Sequence, residues 1–375
     1  MKSNIKLNIG FWVPRPYRGA KLAEKLRSKG HKITIYHFNP IPGDQKYVKP
    51  IKYGLKHTFD LLNNTEHDIY YSAHTFLPSF QLAINKIIKN KPFVFNPGGV
   101  IWTYYKDRLK KSKLNYLKLL AYPKILSIIL NKADLIIGNS KFLSEKFIDK
   151  YPEHKGKITS IYNGIDYQSI DNGVAMPDLW PKSKIKILSV LTLNFQSKSD
   201  GAILLLQAFD EICEKNQDIS YIIAAKSSNK EILNHIKSMI NKSKFKDKIT
   251  LLENRKDIPN LLKSADLFLY ATPENSSDSL PRALLEAQAS GIPTITTNTT
   301  GCCEIISHNQ TGLAVEYNKS EIAKASLELI KNPTKSSQMA KKGYENVRKK
   351  FSWDNMANDY EKKFLEITEK HYDQT

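Results

Sequence analysis

The sequence predicts an α/β protein made of two doubly wound, Rossmann-like domains. Three observations predict this. Short apolar runs alternate with amphipathic helical patterns along the 375 residues. The alternation lapses over residues 171–184, where Gly173, Pro177 and Pro181 stand without periodicity, as in an interdomain linker. A second alternating series then follows. Alternating strands and helices imply right-handed crossovers within a parallel sheet. Two such series imply a cleft between two domains, and ligands of open parallel sheets sit outside the carboxyl ends of the strands.

The elements are read in order. Ile5–Val13 is the first strand, and Pro14–Gly19 is a loop. Ala20–Lys29 is a helix with Leu22, Ala23 and Leu26 on one face, ended by Gly30. Strands follow at Lys32–Phe38 and Asp68–Ser72, a helix at Phe80–Lys89 and a strand at Phe93–Phe95 that runs into Asn96-Pro97-Gly98-Gly99. A long helical region spans about 107–131. Ala133–Gly138 is a strand, Ser140 caps a helix that runs to Lys150, and Ile158–Tyr162 closes the first half before the turn Asn163-Gly164-Ile165-Asp166. In the second half, strands are expected at 185–191, 219–225, 249–252, 267–270 and 294–297, with helices at 202–215, 230–242, 258–264 and 280–290. The domain boundaries expected are 1–170, a linker at 171–184, 185–350, and a C-terminal helix over 351–375.

Composition narrows the function classes. Hydrophobic residues make up 41% and charged residues 25%, an ordinary globular balance. Lys and Arg number 57 against 37 Asp and Glu, a net charge of +20. Such an excess favours anionic partners, although a chain rich in Lys, Ile and Asn also follows from an AT-rich genome. No helix-turn-helix, RNA-binding or zinc-finger pattern is present, so nucleic-acid binding is not expected. Cys213, Cys302 and Cys303 form neither a disulfide framework nor a zinc pattern. The first apolar run is too short for a signal peptide. The longest apolar stretch, 114–130, is broken by Lys118, Pro123 and Lys124. A cytoplasmic location follows as the expectation.

The most informative segment is Asp278-Ser-Leu-Pro-Arg-Ala-Leu-Leu-Glu286-Ala-Gln-Ala-Ser-Gly291-Ile-Pro293. Pro281 falls at the first turn of a helix, where its missing N–H is not needed. The free N–H groups and positive dipole end of that helix suit a phosphate or sugar hydroxyls. Asp278 lies in the preceding loop and Glu286 two turns into the helix. Both carboxylates can face one site and accept hydrogen bonds from vicinal hydroxyls. Two acids eight apart are by themselves a weak signal, more often an ordinary solvated helix face than a site.

This segment resembles the signature of the retaining glycosyltransferases of family 4, which have the two-domain GT-B fold. The likeness extends to Thr300-Gly301-Cys302-Cys303-Glu304-Ile305-Ile306, to Thr311-Gly312-Leu313, to Ser264-Ala265-Asp266-Leu267, to Asn163-Gly164-Ile165-Asp166 and to Phe351-Ser352-Trp353. It covers most of the chain and is strongest in the second half. The resemblance implies that residues 1–170 serve the acceptor and 185–350 the nucleotide-sugar donor, with the last helix crossing back to the first domain. It implies that Glu286 binds ribose hydroxyls, that Asp278 contacts the donor sugar, and that backbone N–H groups near Leu280 and Pro281 support it. Asp278 stands where the family more often has Glu, one methylene longer.

Other positions depart from the family. Its diphosphate site commonly holds an Arg and a Lys; the matching stretch Leu191–Lys198 here, with Asn194, has no Arg, which leaves Lys198 as the candidate cation, or as a solvated loop Lys. Charge develops on the leaving diphosphate, and no metal motif is visible to neutralise it, so no metal cofactor is expected. Arg282 or Arg255 could contribute, and residues 253–255 fall where the family contacts the base. In the first domain, the family's Gly-rich loop is reduced to Gly19 flanked by Arg15 and Arg18, a loop that could bind the donor phosphate through Arg18 or be a Pro-stiffened turn. His74 resembles a strand-end His of the family. A second His is replaced here by Asn96, so its role is lost or passes to Asn96 or backbone N–H groups.

The reading is transfer of a hexose from a UDP- or GDP-sugar to a glycan or lipid-linked acceptor with retention. One alternative stays open, an epimerase or hydrolase of the same fold, which would consume donor without acceptor; a basic nucleic-acid binder, which the charge alone would allow, is far less favoured. The basic, aromatic segment 104–120 can lie on an anionic membrane, which would place the protein on the inner face of the plasma membrane, or it is a solvated helix face.

Overall fold

In the computed structural model, the structure describes residues 5–13, 16–37, 48–50, 62, 65–73, 76–100, 113–194, 196–276 and 278–374. The chain divides into two compact units. Residues 1–164 with 353–375 form one, and 165–352 the other. Both are α/β units on all-parallel sheets, as the alternation predicts.

The first unit contains β1 (Asn8–Trp12), α1 (Pro16–Ser28), β2 (Lys32–His37), β3 (Val48–Pro50), β4 (Ile69–Ala73), α2 (Phe76–Lys89), β5 (Phe93–Asn96), α3 (Lys113–Lys132), β6 (Leu135–Gly138), α4 (Lys141–Lys150) and β7 (Ile158–Ser160). Its strands run in the order β3-β2-β1-β4-β5-β6-β7. Successive side chains of a strand leave opposite faces, and β1 shows the consequence. Ile9 and Phe11 pack with Leu22, Ala23 and Leu26 of α1, while Trp12 packs on the other face with Leu82, Ala83, Leu126 and Phe147. Both faces are covered, so the strands read as continuous apolar runs. Ser140 caps α4 by accepting from the Leu143 N–H at 3.0 Å.

The second unit begins with α5 (Tyr167–Asp171). It continues with β8 (Ile185–Thr192), α6 (Gln196–Lys215), β9 (Ile219–Lys226), α7 (Lys230–Lys242), β10 (Ile249–Glu253), α8 (Ile258–Ser264), β11 (Leu267–Tyr270), α9 (Arg282–Ala289), β12 (Thr294–Thr297), α10 (Cys302–Ile305), β13 (Leu313–Val315), α11 (Lys319–Lys331) and α12 (Pro333–Lys350). The strand order is β10-β9-β8-β11-β12-β13. The order reverses between β8 and β11, so residues leaving the carboxyl ends of those two strands become neighbours. The last helix, α13 (Trp353–Tyr372), belongs to the first unit, where Trp353, Met356, Ala357, Tyr360 and Phe364 join the core around Phe11 and Tyr71.

Several boundaries differ from the sequence reading. Helix α1 begins at Pro16, so Arg18 and Gly19 belong to its first turn and not to the loop before it. Helix α6 begins at Gln196, which makes Lys198 a helical residue. The unit boundary falls at 164/165, and residues 171–184 are tied into the second unit. The Val174 N–H donates to Asn260 Oδ1 at 2.9 Å and the Met176 N–H to Ser264 Oγ at 2.6 Å. Strands β3 and β13 and helices α5, α10, α11 and α12 are additions to the elements expected from sequence. His74, Arg15 and residues 101–112 lie outside the described residues. Residues 113–120 form the first part of α3. Among the described residues, no helix is long and apolar enough to cross a membrane.

Candidate functional site

The predicted donor segment lies in the second unit, at the place where its strand order reverses. Three side chains converge there. Lys198 comes from the first turn of α6, which follows β8. Tyr270 is the last residue of β11, and Asp278 stands in the loop between β11 and α9. Lys198 Nζ donates to the Tyr270 hydroxyl at 2.5 Å and pairs with Asp278 Oδ2. The Tyr270 hydroxyl in turn donates to Asp278 Oδ2. One carboxylate oxygen thus receives a cation and a phenol, while no described residue donates to Oδ1. The Asp278 N–H donates to Ser276 Oγ at 3.2 Å, which holds the loop close to its acidic side chain.

Close backbone approaches bring these pieces together. A Cβ on Gly201 would collide with the Ala271 carbonyl, and one on Gly301 with the Ser279 carbonyl. Glycine at these two positions lets α6 lie against the end of β11 and lets residues 299–302 lie against 278–280. Thr300 holds a positive φ of 52°, a costly conformation for a β-branched residue. A buried threonine cluster fixes the floor: Thr297 Oγ1 accepts from the Thr272 N–H at 3.1 Å and lies 2.9 Å from Thr299 Oγ1.

Burial governs the electrostatics. Tyr270 is buried, and this, followed by the negative charge of Asp278, pushes its phenol far above its ordinary pKa. The hydroxyl therefore keeps its proton and remains a donor to the carboxylate. Burial likewise pushes the Cys302 thiol up to about 12, a bond with Thr296 opposes the rise and Asp278 adds to it. Cys302 is inert packing beneath the site.

Helix α9 begins directly after Pro281, whose φ is −64°. As at any helix start, its first N–H groups have no carbonyl partner within the helix and carry the positive end of the helix dipole. Leu280 is buried, so the apolar side chain anchors the loop that presents this end. Glu286 is half-buried and accepts from Arg282 Nε at 2.7 Å. Asp278 and Glu286 thus flank the same helix start, each with its own cationic partner, and no ion pair or hydrogen bond joins them.

The remaining expected residues separate into three groups. Asn194 Oδ1 accepts from the Ser228 N–H at 2.8 Å and from Ser228 Oγ at 3.1 Å, tying together the loops after β8 and β9. Arg255 follows β10, and its Nε donates to Asp257 at 2.8 Å; no described contact joins it to Lys198 or Asp278. Arg18 and Gly19 occupy the first turn of α1 in the other unit. Asn96, in the position of the missing His, is spent internally. Its amide donates to the Tyr360 hydroxyl at 2.9 Å, and its carbonyl oxygen accepts from the Gly98 N–H at 2.8 Å.

Tyr270 escapes the sequence reading because it closes an apolar strand, Leu267-Phe-Leu-Tyr270, and passes for core. The available signal is a phenol at the carboxyl end of a parallel strand. Among the described residues, no group of three His, Cys, Asp or Glu side chains is placed to hold a metal ion.

The profile of the family described as glycosyl transferases group 1 matches residues 178–346, and that of glycosyltransferase family 4 matches residues 20–169. The chain is 27% identical to the Bacillus subtilis protein YtcC, itself provisionally named a glycosyltransferase, over 61% of this chain and 59% of that one. The match thus spans well under two thirds of that relative's length. An Escherichia coli UDP-Gal:α-D-GlcNAc-diphosphoundecaprenol α-1,3-galactosyltransferase is 28% identical over 43% of this chain and 42% of its own. Among solved structures, a Rickettsia africae glycosyltransferase superposes with a TM-score of 0.76 at 19% identity, covering 96% of this chain and 98% of that one. Anabaena HepE in complex with UDP-glucose superposes with a TM-score of 0.73 at 15% identity, covering 96% and 100%. These likenesses establish the GT-B fold.

Proposed function

Because this chain belongs to the glycosyltransferases described by the family 4 and group 1 models, we propose that it moves a hexosyl group from a UDP-sugar to a glycan or lipid-linked acceptor, with retention and without a metal. The observation that carries the donor reading is the Lys198–Asp278 pair beside the N-terminus of α9, with Glu286 farther along that helix.

The chemistry assigns each group a task. The diphosphate gathers charge as its bond to the anomeric carbon breaks. A cation and free N–H groups aimed at that charge lower the barrier. Lys198, released from Asp278 to the diphosphate, supplies the cation; the first turn of α9 supplies the N–H groups. Asp278 then accepts from hydroxyls of the sugar, and Glu286 from the vicinal hydroxyls of the ribose. The acceptor hydroxyl attacks on the face the diphosphate leaves, and its proton passes to a phosphate oxygen. The new bond thereby keeps the anomeric configuration.

The choice of UDP draws on the UDP-glucose held by HepE. The lipid-linked acceptor draws on the diphosphoundecaprenol substrate in the name of the Escherichia coli relative. The basic, aromatic composition of 104–120 fits an approach to an anionic bilayer where such acceptors reside.

Thermal shift and donor turnover across a panel of UDP- and GDP-hexoses, with Glu286→Ala as control, test the reading. Stabilisation by UDP-sugars that disappears in the variant is expected. A variant that binds donor as well as wild type does would remove Glu286 from the site. Fast consumption of donor without acceptor would favour a hydrolase or epimerase.

A further inference from the structure

Tyr270 is a buried phenol aimed at two charged groups, and nothing in the transfer chemistry requires it. Its ring lies at the end of β11, where a leucine or phenylalanine would fill the same space. Its hydroxyl nonetheless takes a hydrogen bond from Lys198 Nζ at 2.5 Å and gives one to Asp278 Oδ2. Asp278 stands on a loop, and loop side chains hold an orientation only when their surroundings impose it. Tyr270 supplies that constraint from a strand, the more rigid element.

We propose that Tyr270 is a positioning residue, whose hydroxyl holds the Asp278 carboxylate toward the donor sugar when Lys198 turns to the diphosphate. This rests on the donor-site reading above.

The exchange of partners follows from the geometry. In the free protein, Oδ2 accepts from both Lys198 and Tyr270, and Oδ1 has no described donor. When Lys198 moves to an anionic ligand, Asp278 loses its cation but keeps the phenol. The carboxylate stays fixed by that bond, with Oδ1 directed at the ligand. Burial and the negative charge of Asp278 keep the phenol protonated, so it does not itself compete as a base. The bond also offsets the shorter reach of Asp, because a fixed carboxylate loses less orientational freedom on binding.

Tyr270→Phe removes the hydroxyl and keeps the ring. Three measurements are made on wild type, Tyr270→Phe, Asp278→Asn and the double variant: melting temperature, UDP affinity by calorimetry, and UDP release from the best UDP-hexose. The expected result is a Tyr270→Phe protein with near wild-type melting temperature and UDP affinity. Its kcat falls about tenfold or more, as loss of a hydrogen bond to a charged group implies. Its KM for the UDP-hexose changes less than about twofold, so the loss falls on kcat. In the Asp278→Asn background the same substitution changes kcat less than about twofold, because the two residues act as one unit.

Equal losses in both backgrounds, or a wild-type kcat in Tyr270→Phe, overturn the inference and leave the donor site standing. A wild-type protein that binds no UDP and releases none sinks both. Tyr270→Met serves if Tyr270→Phe does not fold. Failure of both to fold makes Tyr270 a packing residue and also overturns the inference.

Discussion

Lys29 Nζ lies 2.7 Å from Glu361 Oε2, an ion pair between residues 332 apart in the chain that fastens α13 to the end of α1. His31 Nε2 reaches the other Glu361 oxygen at 2.9 Å. The Leu7 N–H donates to His31 Nδ1 at 3.1 Å, so the ring proton sits on Nε2 and is donated to Glu361 without any need for a charged imidazole. Partial burial pushes the Glu361 carboxyl up, but the bonds from Lys29 and His31 prevail and hold it below its ordinary value of 4.5.

A depressed carboxylate contributes stability above its unfolded pKa, and that stability fades as the pH falls through the folded one. Glu361→Ala is expected to cost about 1–2 kcal/mol at neutral pH. The gap to wild type should narrow as the pH drops below 4.5. Urea unfolding at pH 7 and under acidic conditions checks this. A gap that is unchanged in acid would show that Glu361 acts through packing alone.

Lys198→Met and Glu286→Ala should separate catalysis from binding. The lysine variant loses its cation at the leaving group, so turnover should fall about 100-fold or more. Glu286→Ala should chiefly weaken donor binding, by about tenfold or more, through lost hydrogen bonds to a charged group. Steady-state kinetics with a UDP-hexose, paired with calorimetry, distinguishes the two. Matching kcat and KM changes in both variants would contradict the division of roles.

Gly301→Ala places a methyl group against the Ser279 carbonyl, whereas a methyl group on Gly156 would meet nothing within 4 Å. Overpacking of this kind costs about 1–3 kcal/mol. The shift it forces on 278–280 should weaken donor binding as well. Gly156→Ala serves as the control and should keep wild-type melting temperature and affinity. Differential scanning fluorimetry with and without UDP reads both effects.

If the basic segment meets a membrane, reversing Lys110, Lys111 and Lys113 to Glu should abolish flotation with anionic liposomes and leave UDP affinity unchanged. Surface attraction of this kind is worth about 1 kcal/mol per basic residue and falls with salt. Wild type that fails to float, or a variant that floats equally well, would tie the positive charge to composition alone.

The fold is legible in the sequence wherever the signal is local. Helix periodicity places Leu22, Ala23 and Leu26 in the core, and Ser140 marks the start of α4 through its own capping bond. Helix α7, helix α8 and strands β11 and β12 have the boundaries that the sequence predicts. Two helices escape the reading although their signals are present. Asn318 caps α11 by accepting from the Ser320 and Glu321 N–H groups, and Pro333 opens α12. Lys198 reads as a loop residue because the polar run Gln196-Ser-Lys-Ser-Asp200 hides the first turn of α6.

By itself the sequence determined the two α/β units, the family, and the pair Asp278 and Glu286 about one helix start, since each depends on patterns within a few turns of chain. Only the tertiary structure decided that Lys198 and Tyr270 meet at Asp278, that Asn96 is taken up by Tyr360, and that Glu361 joins Lys29 and His31. The reason is topological. Reversal of strand order between β8 and β11 brings the ends of strands about 80 residues apart in sequence to one place, and the last helix returns to a sheet laid down at the start of the chain. Neither proximity leaves a trace in local residue spacing.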